Sequence, residues 1–262
     1  MPNWCDMNRD EVAAAARSGA VAVLPLGAIE QHGAHLPTGT DALLAVAATA
    51  AAVARTGDVL LPAVAYGCSL GHTARWPGTV SLSVETLTAI VTDIGRWVLT
   101  SGFRKLVVIN SHATNGPSAQ SALLTLRHEH PALRTCFASL YDISAEAHAG
   151  YFSDATDPHA NVAETSMVLH LDPGLVMLDR AVDEEDRTAG RVLTYPMPDV
   201  THSGVVGRPT SASAQTGTAL FTAVVDGVTR LLERVRAETE PFPDRTAESP
   251  WNNQHIPTKG PL

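Results

Sequence analysis

The chain has 262 residues and a formal net charge of −9 at pH 7, and 45% of its residues are hydrophobic but only 5% are aromatic. This length suits one large domain or two small ones and allows an ample buried core. The negative charge provides no basic surface for nucleic acid or for an anionic membrane, so we expect neither as a partner.

The sequence contains no recognisable targeting or membrane segment. No run of about eighteen uncharged apolar residues is present, as a membrane span would need, and the N-terminus lacks the basic start and apolar core of a signal peptide. The cysteines Cys5, Cys68 and Cys136 are odd in number and far apart, so they form no disulfide or zinc-finger pattern. These features predict a cytoplasmic protein with free thiols.

Predicted helices and strands alternate along the chain up to residue 143. In order they are a helix over 8–19, a strand over 20–26, a helix over 40–57, a strand over 58–67, a helix over 83–101, a strand over 104–110, a helix over 116–130 and a strand over 133–143. This alternation, with continuously apolar strands, predicts a largely parallel sheet covered by helices on both faces.

Beyond residue 150 the pattern loosens. Helices are predicted near 163–171 and over 213–238, and a proline-rich, aperiodic tail begins at Pro241. We therefore predict a single domain over residues 1–240, followed by a C-terminal tail over 241–262 that is disordered or lies across a neighbouring subunit.

Potential metal ligands gather where two predicted strands end. Glu30 and His32 follow the first strand within the segment GAIEQHGAHLPTGTD, Asp41 lies at the start of the next helix, and His112 follows the third strand. Ligands bind at the carboxyl ends of strands in such folds, and side chains two residues apart in an extended segment face the same side. A polar loop with solvated histidines is the simpler explanation for any one of these residues alone.

A further candidate ligand is Glu164, with His159 five residues before it. Imidazole and carboxylate together suit zinc, manganese or iron better than calcium. A set of this size could hold two ions about 3.5–4 Å apart. His35 and His72 either line the same pocket or brace a loop, and Ser111 lacks the elbow motif of a serine nucleophile.

Five segments, in this order, resemble the creatininase (creatinine amidohydrolase) family between about residues 20 and 235. They are PLGAIEQHGAHLPTGTD, YGCSLGHTARWPGTVSL, VVINSHATNG, HANVAETSMVLHLDP and GVVGRPTSASAQTG. The resemblance implies a three-layer α/β/α fold, a binuclear metal centre, hydrolysis of carbon–nitrogen bonds other than ordinary internal peptide bonds, and assembly as a homohexamer.

The resemblance also implies roles for individual residues. Glu30, His32, Asp41 and His112 match metal ligands, with Asp41 bridging two ions, and His159 matches a histidine that moves protons.

This chain departs from creatininase at Thr114. Creatininase has a ligating glutamate there, two residues after the histidine that matches His112, and a threonine cannot replace a carboxylate. The segment from His112 to Asn115 is closer to family members with His-Gly-Gly-Asn, and for that branch we expect Glu164 to complete the second metal site.

These observations predict a metal-dependent amidohydrolase that cleaves a small-molecule amide, a lactam, a formamide or a short modified peptide with metal-activated water. One alternative is a non-catalytic binding or assembly subunit with the same fold. The other is a two-metal phosphoesterase, which is disfavoured because no cluster of lysines or arginines accompanies the ligands to hold a phosphate.

Overall fold

The structure is a computed structural model that describes residues 2–73 and 75–241. Its strands are β1 (Ala22–Leu26), β2 (Val59–Leu60), β3 (Lys105–Asn110) and β4 (Arg134–Ser139). They form one parallel sheet in the order β2-β1-β3-β4. The predicted parallel sheet is therefore confirmed, and β1 and β3 are its two central strands.

Eight α-helices surround the sheet in the described part of the chain. They are α1 (Arg9–Arg17), α2 (Thr40–Thr56), α3 (Val84–Thr100), α4 (Gly116–Glu129), α5 (Ala145–Tyr151), α6 (Val162–Leu171), α7 (Met197–Val200) and α8 (Ala214–Ala237). None of the helices in residues 2–73 and 75–241 combines the length and apolarity that a bilayer span requires.

Alternate residues of the central strands enter two separate hydrophobic cores. Val23 and Val107 pack with residues of α2, α6 and α8 on one face, whereas Leu24 and Val108 pack with residues of α3 and α4 on the other. All four are fully buried. Strands buried on both faces explain the continuous apolar runs, and the predicted three-layer α/β/α architecture is confirmed.

The second and fourth strands are shorter than the sequence predicts. β2 ends at Leu60, and beyond it only an isolated bridge joins Val64 to Leu26. Pro62 lies in this stretch and has no backbone N–H for a ladder hydrogen bond, which explains the early end. After Ser139, the chain turns into a 3₁₀ helix instead of continuing as β4 to residue 143.

The division into one domain and a tail stays a prediction, and tail residues 242–262 lie outside the described residues.

The carboxyl ends of β1 and β3 lie side by side, since Leu26 pairs with Asn110 in the sheet register. Directly after β1, Gly27 contacts the backbone of Ala42, and a Cβ at this position would collide with it. This close approach brings the first turn of α2 to the same edge of the sheet.

Candidate metal centre

Glu30 lies just beyond β1 and is 1% exposed. Its Oε2 is 3.3 Å from His112 Nε2. Its Oε1 is 3.3 Å from His72 Nδ1 and 3.5 Å from His159 Nδ1. The first predicted ligand is thus a buried carboxylate surrounded by imidazoles from three other segments of the chain.

Asp41 lies in the first turn of α2 and is also buried. Its two oxygens face different imidazoles: Oδ1 is 3.7 Å from His32 Nε2, and Oδ2 is 3.4 Å from His112 Nδ1. The positive end of the helix dipole favours a carboxylate at this position. Asp41, His32 and His112 are therefore placed where they could hold divalent metal.

His32 is held by a hydrogen bond from Nδ1 to the backbone carbonyl of Glu30, at 3.0 Å. A carbonyl oxygen only accepts hydrogen bonds, so the Nδ1 atom carries a proton. In the neutral ring, Nε2 therefore has the free lone pair, and Nε2 has no hydrogen-bond partner in the described part of the chain. A backbone carbonyl that fixes the ring in this way is typical of a metal-binding histidine.

His112 has the opposite orientation. Its Nε2 lies 2.6 Å from the Thr114 hydroxyl oxygen and 3.1 Å from the Cys68 carbonyl oxygen. The Thr114 hydroxyl itself donates to the Cys68 carbonyl, so the hydroxyl oxygen accepts the Nε2 proton of His112. Nδ1 then presents its lone pair to Asp41. Thr114, which is exposed, contacts the imidazole of His112 through this hydroxyl.

Glu164 lies in the first turn of α6, where Asn161 caps the helix. Ligand atoms of Glu164, His32 and His159 all lie within 4.8 Å of one another. Glu164 Oε2 accepts a hydrogen bond of 2.7 Å from the backbone of Ala160. Ala160 has φ +50°, the one positive φ of a non-glycine residue in the described ranges. Such a conformation is costly and is typical of functional sites.

His159 is 7% exposed and lies beside the carboxylates of Glu30 and Glu164. Its Nε2 donates a hydrogen bond of 2.8 Å to the Gln31 carbonyl oxygen, so that Nδ1 faces Glu30. Burial, together with the charges of His32 and His72, holds the pKa of His159 well below its usual value. The neutral ring thus has a free lone pair at Nδ1, which can accept a proton.

Burial and neighbouring charges shift the other ionisable groups in opposite directions. Burial is the largest effect on His32 and would lower its pKa, but the charge and hydrogen bond of Asp41, together with the charges of Glu164 and Glu30, outweigh it and raise the pKa to about 10. Burial raises the pKa of Glu30 to about 7 and also raises that of Glu164. Burial would raise the pKa of Asp41 as well, but the neighbouring imidazoles, His32 most of all, together lower it. In the metal-free protein, a protonated His32 therefore balances the charge of Asp41.

The residues present fit a divalent-metal centre. Three atoms that point into the cluster, Glu30 Oε2, His32 Nε2 and Asp41 Oδ2, are buried without a hydrogen-bond partner in the described part of the chain. Native proteins rarely leave buried polar atoms unpaired. Atoms of these three residues lie within 4.8 Å of one another, and their nitrogen and oxygen donors suit zinc, manganese or iron.

The structure brings together the six residues that the sequence assigned to metal binding or proton transfer. Two others, His72 and Gln31, lie with them. His72, whose role the sequence left open, is 8% exposed and lies beside Glu30. Gln31 contacts both His72 and His159 through its side chain. No sequence pattern indicates Gln31, because alternation in an extended segment directs it away from Glu30 and His32.

The two remaining candidates have supporting contacts. His35 Nε2 lies 3.0 Å from the Thr165 hydroxyl on α6, so this histidine braces the helix. The Ser111 hydroxyl donates a hydrogen bond of 2.6 Å to the backbone carbonyl of Asp41, which fixes the start of α2.

The amino-acid sequence is similar to those of known proteins. A family model described as creatininase, creatinine amidohydrolase, matches residues 5–232. A mycofactocin precursor peptide peptidase from Mycobacterium tuberculosis is 33% identical over 235 residues, covering 81% of this chain and 84% of that protein. A creatinine amidohydrolase from Pseudomonas putida is 31% identical over 245 residues, covering 84% of this chain and 90% of that protein.

Solved structures give the same result. A crystal structure of creatinine amidohydrolase (creatininase) matches with a TM-score of 0.81 at 28% identity, covering 90% of this chain and 98% of that chain. Other creatininase structures are described as a zinc–zinc type and a manganese form, and each matches with a TM-score of 0.80 at 28% identity. They cover 90% of this chain and 98% or 99% of theirs, respectively.

Proposed function

This chain belongs to the creatininase family and is a metal-dependent hydrolase of carbon–nitrogen bonds other than ordinary peptide bonds, and we propose that its substrate is a small amide, a lactam, a formamide or a short modified peptide. The short modified peptide is the class we favour, because a relative at 33% identity is named as a peptidase of a precursor peptide. Exposed Thr114 beside His112 also leaves a short side chain at the rim of the site.

One observation carries the proposal: buried carboxylate and imidazole atoms without partners face one another at the carboxyl ends of β1 and β3. We propose that two divalent ions, zinc, manganese or iron, bind here. Glu30 and His112 would hold one ion and His32 and Glu164 the other, with Asp41 between them. The separate imidazoles that face the two oxygens of Asp41 support this arrangement.

The bound ions would polarise the scissile carbonyl and lower the pKa of water in the site. His159 would accept a proton at Nδ1 and release it to the departing nitrogen. Its hydrogen bond to the Gln31 carbonyl keeps the ring in the tautomer that this transfer needs. Burial of Glu30, Asp41 and His159 keeps bulk water away from their charges and strengthens their electrostatic effect.

The direct test is hydrolysis by the purified chain loaded with zinc or with manganese. The panel would contain creatinine, a formamide, short peptides blocked at either end, and phosphate mono- and diesters, with release of amine or phosphate as the readout. We expect amine release together with about two ions per chain by elemental analysis. Release of phosphate alone would indicate the phosphoesterase, and tight metal binding without any hydrolysis would indicate the binding subunit.

We also propose a homohexamer. The segment after α6 exposes large apolar side chains, among them Val192 at 96% and Leu193 at 72% exposure. Such surfaces are typical of contacts between proteins. Light scattering at micromolar concentration should give the mass of six chains, and a strict monomer would contradict the assembly without affecting the proposed chemistry.

A further inference from the structure

The amide group of Gln31 has one possible orientation in the site. Its Oε1 accepts a hydrogen bond of 3.0 Å from the backbone N–H of Gly33, and its Nε2 donates one of 3.1 Å to the backbone carbonyl of Gly204. Exchanging the two atoms would set donor against donor and acceptor against acceptor. The nitrogen of the amide therefore lies on the side of His72 and His159.

This orientation sets a hydrogen-bond donor beside the ring of His72. Gln31 Nε2 lies 3.3 Å from His72 Nδ1, and an amide nitrogen donates but does not accept. Gln31 Nε2 is also 3.2 Å from His159 Nε2, but that atom already donates to the Gln31 carbonyl, so the second amide proton is directed to His72 Nδ1. Glu30 Oε1, at 3.3 Å, competes as an acceptor for a proton on Nδ1. In the proposed function Glu30 would hold a metal ion, which leaves the Gln31 amide as the partner of Nδ1 and the proton of the neutral ring on Nε2. Within the described residues, no protein group accepts a hydrogen bond from this Nε2.

His72 lies at the rim of the metal centre. It ends a 3₁₀ helix that begins at Leu70, which is 57% exposed, and its ring centroid is 4.6 Å from that of His159. A substrate whose scissile bond reaches His159 would pass this ring. From these contacts, and resting on the proposed function, we propose that His72 donates a hydrogen bond from Nε2 to an oxygen of the amide substrate and that Gln31 is the residue that positions it.

The partner of Gln31 is itself firmly anchored. Gly204 has φ +81°, and a Cβ there would collide with Gln31 Oε1. The turn before it is held by Glu184, whose Oε2 accepts hydrogen bonds from the Thr201 hydroxyl at 2.6 Å and from the Ser203 backbone at 2.9 Å. A carbonyl fixed in this way can fix the Gln31 amide, and through it the ring of His72.

Variants of His72 distinguish a role as a hydrogen-bond donor from a role as a metal ligand. In His72→Gln the side-chain nitrogen can replace imidazole Nε2 as a donor, whereas His72→Leu removes it. We expect His72→Leu to lower kcat about a hundred-fold or more, the scale for one lost transition-state donor, with unchanged metal content. His72→Gln should recover at least about a tenth of the wild-type kcat. His128→Leu, at an exposed histidine of α4, is the matched control and should change neither quantity.

Three kinetic or metal results would overturn the proposal. They are full activity in His72→Leu, equal activity of the leucine and glutamine variants, and loss of metal in His72→Leu. The last would make His72 a ligand, since Glu30, His72 and His159 also offer atoms within 4.8 Å of one another.

Nuclear magnetic resonance of the full-length, zinc-loaded protein with ¹⁵N-labelled histidine provides a readout independent of turnover. We expect the Nε2–H tautomer for His72, assigned by its absence from His72→Leu, and a mixture of tautomers in Gln31→Met. The Nδ1–H tautomer in the wild type, or no change in Gln31→Met, would refute the role of Gln31. A wild type that hydrolyses no amide would instead refute the proposed function, and the tautomer result would still decide whether Gln31 positions His72.

Discussion

Asp58 and Asp41 are both buried aspartates beside the sheet, one before β2 at the amino end and one at the carboxyl end. Asp58 has partners for both oxygens. Oδ1 accepts from the Val21 backbone at 3.0 Å and pairs with Arg236, and Oδ2 accepts from the Thr56 hydroxyl at 2.7 Å. The oxygens of Asp41 face the imidazoles of His32 and His112, and its Oδ2 has no hydrogen bond within the described residues.

The difference separates a structural carboxylate from one arranged to bind a ligand. A buried carboxylate is expensive unless hydrogen bonds and countercharges replace the water it has lost. Both oxygens of Asp58 receive hydrogen bonds, whereas Oδ2 of Asp41 receives none in the described part of the chain. Burial therefore does not distinguish Asp41 from Asp58, whereas the missing hydrogen bond to a buried oxygen does.

The most direct test of this difference removes the charge from each aspartate in turn. Asp41→Asn should lower metal content well below that of the wild type and reduce activity by about a thousand-fold or more, because both ions lose a shared ligand. Elemental analysis and amide hydrolysis would measure the two effects.

Asp58→Asn is the matched control. It weakens the pair with Arg236 and should cost about 1–3 kcal/mol of stability, while metal content and activity stay at wild-type levels. If Asp58→Asn released metal as strongly as Asp41→Asn, the distinction between the two carboxylates would be wrong.

A second pair of variants tests the same contrast between glutamates. Glu164→Gln keeps the size of the side chain but removes its charge, so metal content should fall from two toward one ion per chain and activity should be lost. Glu129→Gln is the control, because this exposed glutamate at the end of α4 pairs with Arg96 and should change neither quantity. Two tightly bound ions in Glu164→Gln would show that this glutamate only supports another ligand.

His159→Ala addresses proton transfer rather than metal binding. We expect a roughly hundred-fold or greater loss of turnover, the usual scale for general acid–base catalysis, with both ions retained. Kinetics and elemental analysis on the same preparation would separate the two. A parallel loss of metal would assign His159 to the ligand set instead.

The sequence predicts the fold and the side chains that gather at the candidate site, for physical reasons. Apolar strands between amphipathic helices leave few alternatives to a parallel sheet, and the carboxyl ends of neighbouring strands must meet at one edge. This constraint alone predicts that Glu30 and His112 lie close together. The sequence did not indicate Gln31, because its side chain departs from the extended pattern to contact Gly204, 173 positions away in the sequence.

Other features depend on tertiary contacts that periodicity does not encode. The strained backbone of Ala160, which directs an N–H group to Glu164, has no sequence signal of its own. The tautomers of the histidines likewise depend on which carbonyl or hydroxyl each ring meets, such as Cys68 and Thr114 for His112.

The smallest expected effect is a loss of stability with rising pH in the metal-free protein. Against the larger opposing effect of burial, Asp41, Glu164 and Glu30 together raise the pKa of His32 from 6.5 to about 10. Between these pH values the folded protein keeps a proton that the unfolded chain has released. The free energy of unfolding of the metal-free protein should therefore fall as pH rises from about 7 to 8.5, by up to about 1.4 kcal/mol per pH unit.

Denaturant titrations at several pH values would measure this slope, and two comparisons define its origin. Asp41→Asn should reduce the slope, because the pKa of His32 then loses its largest raising contributions, whereas His128→Gln on α4 should leave it unchanged. Saturating zinc should reverse the slope, because metal binding displaces the proton from His32 and so strengthens as pH rises. A metal-free protein whose stability stays constant or rises over this range would mean that Asp41 and His32 do not form the charged pair, and His32 would then be neutral before any metal binds.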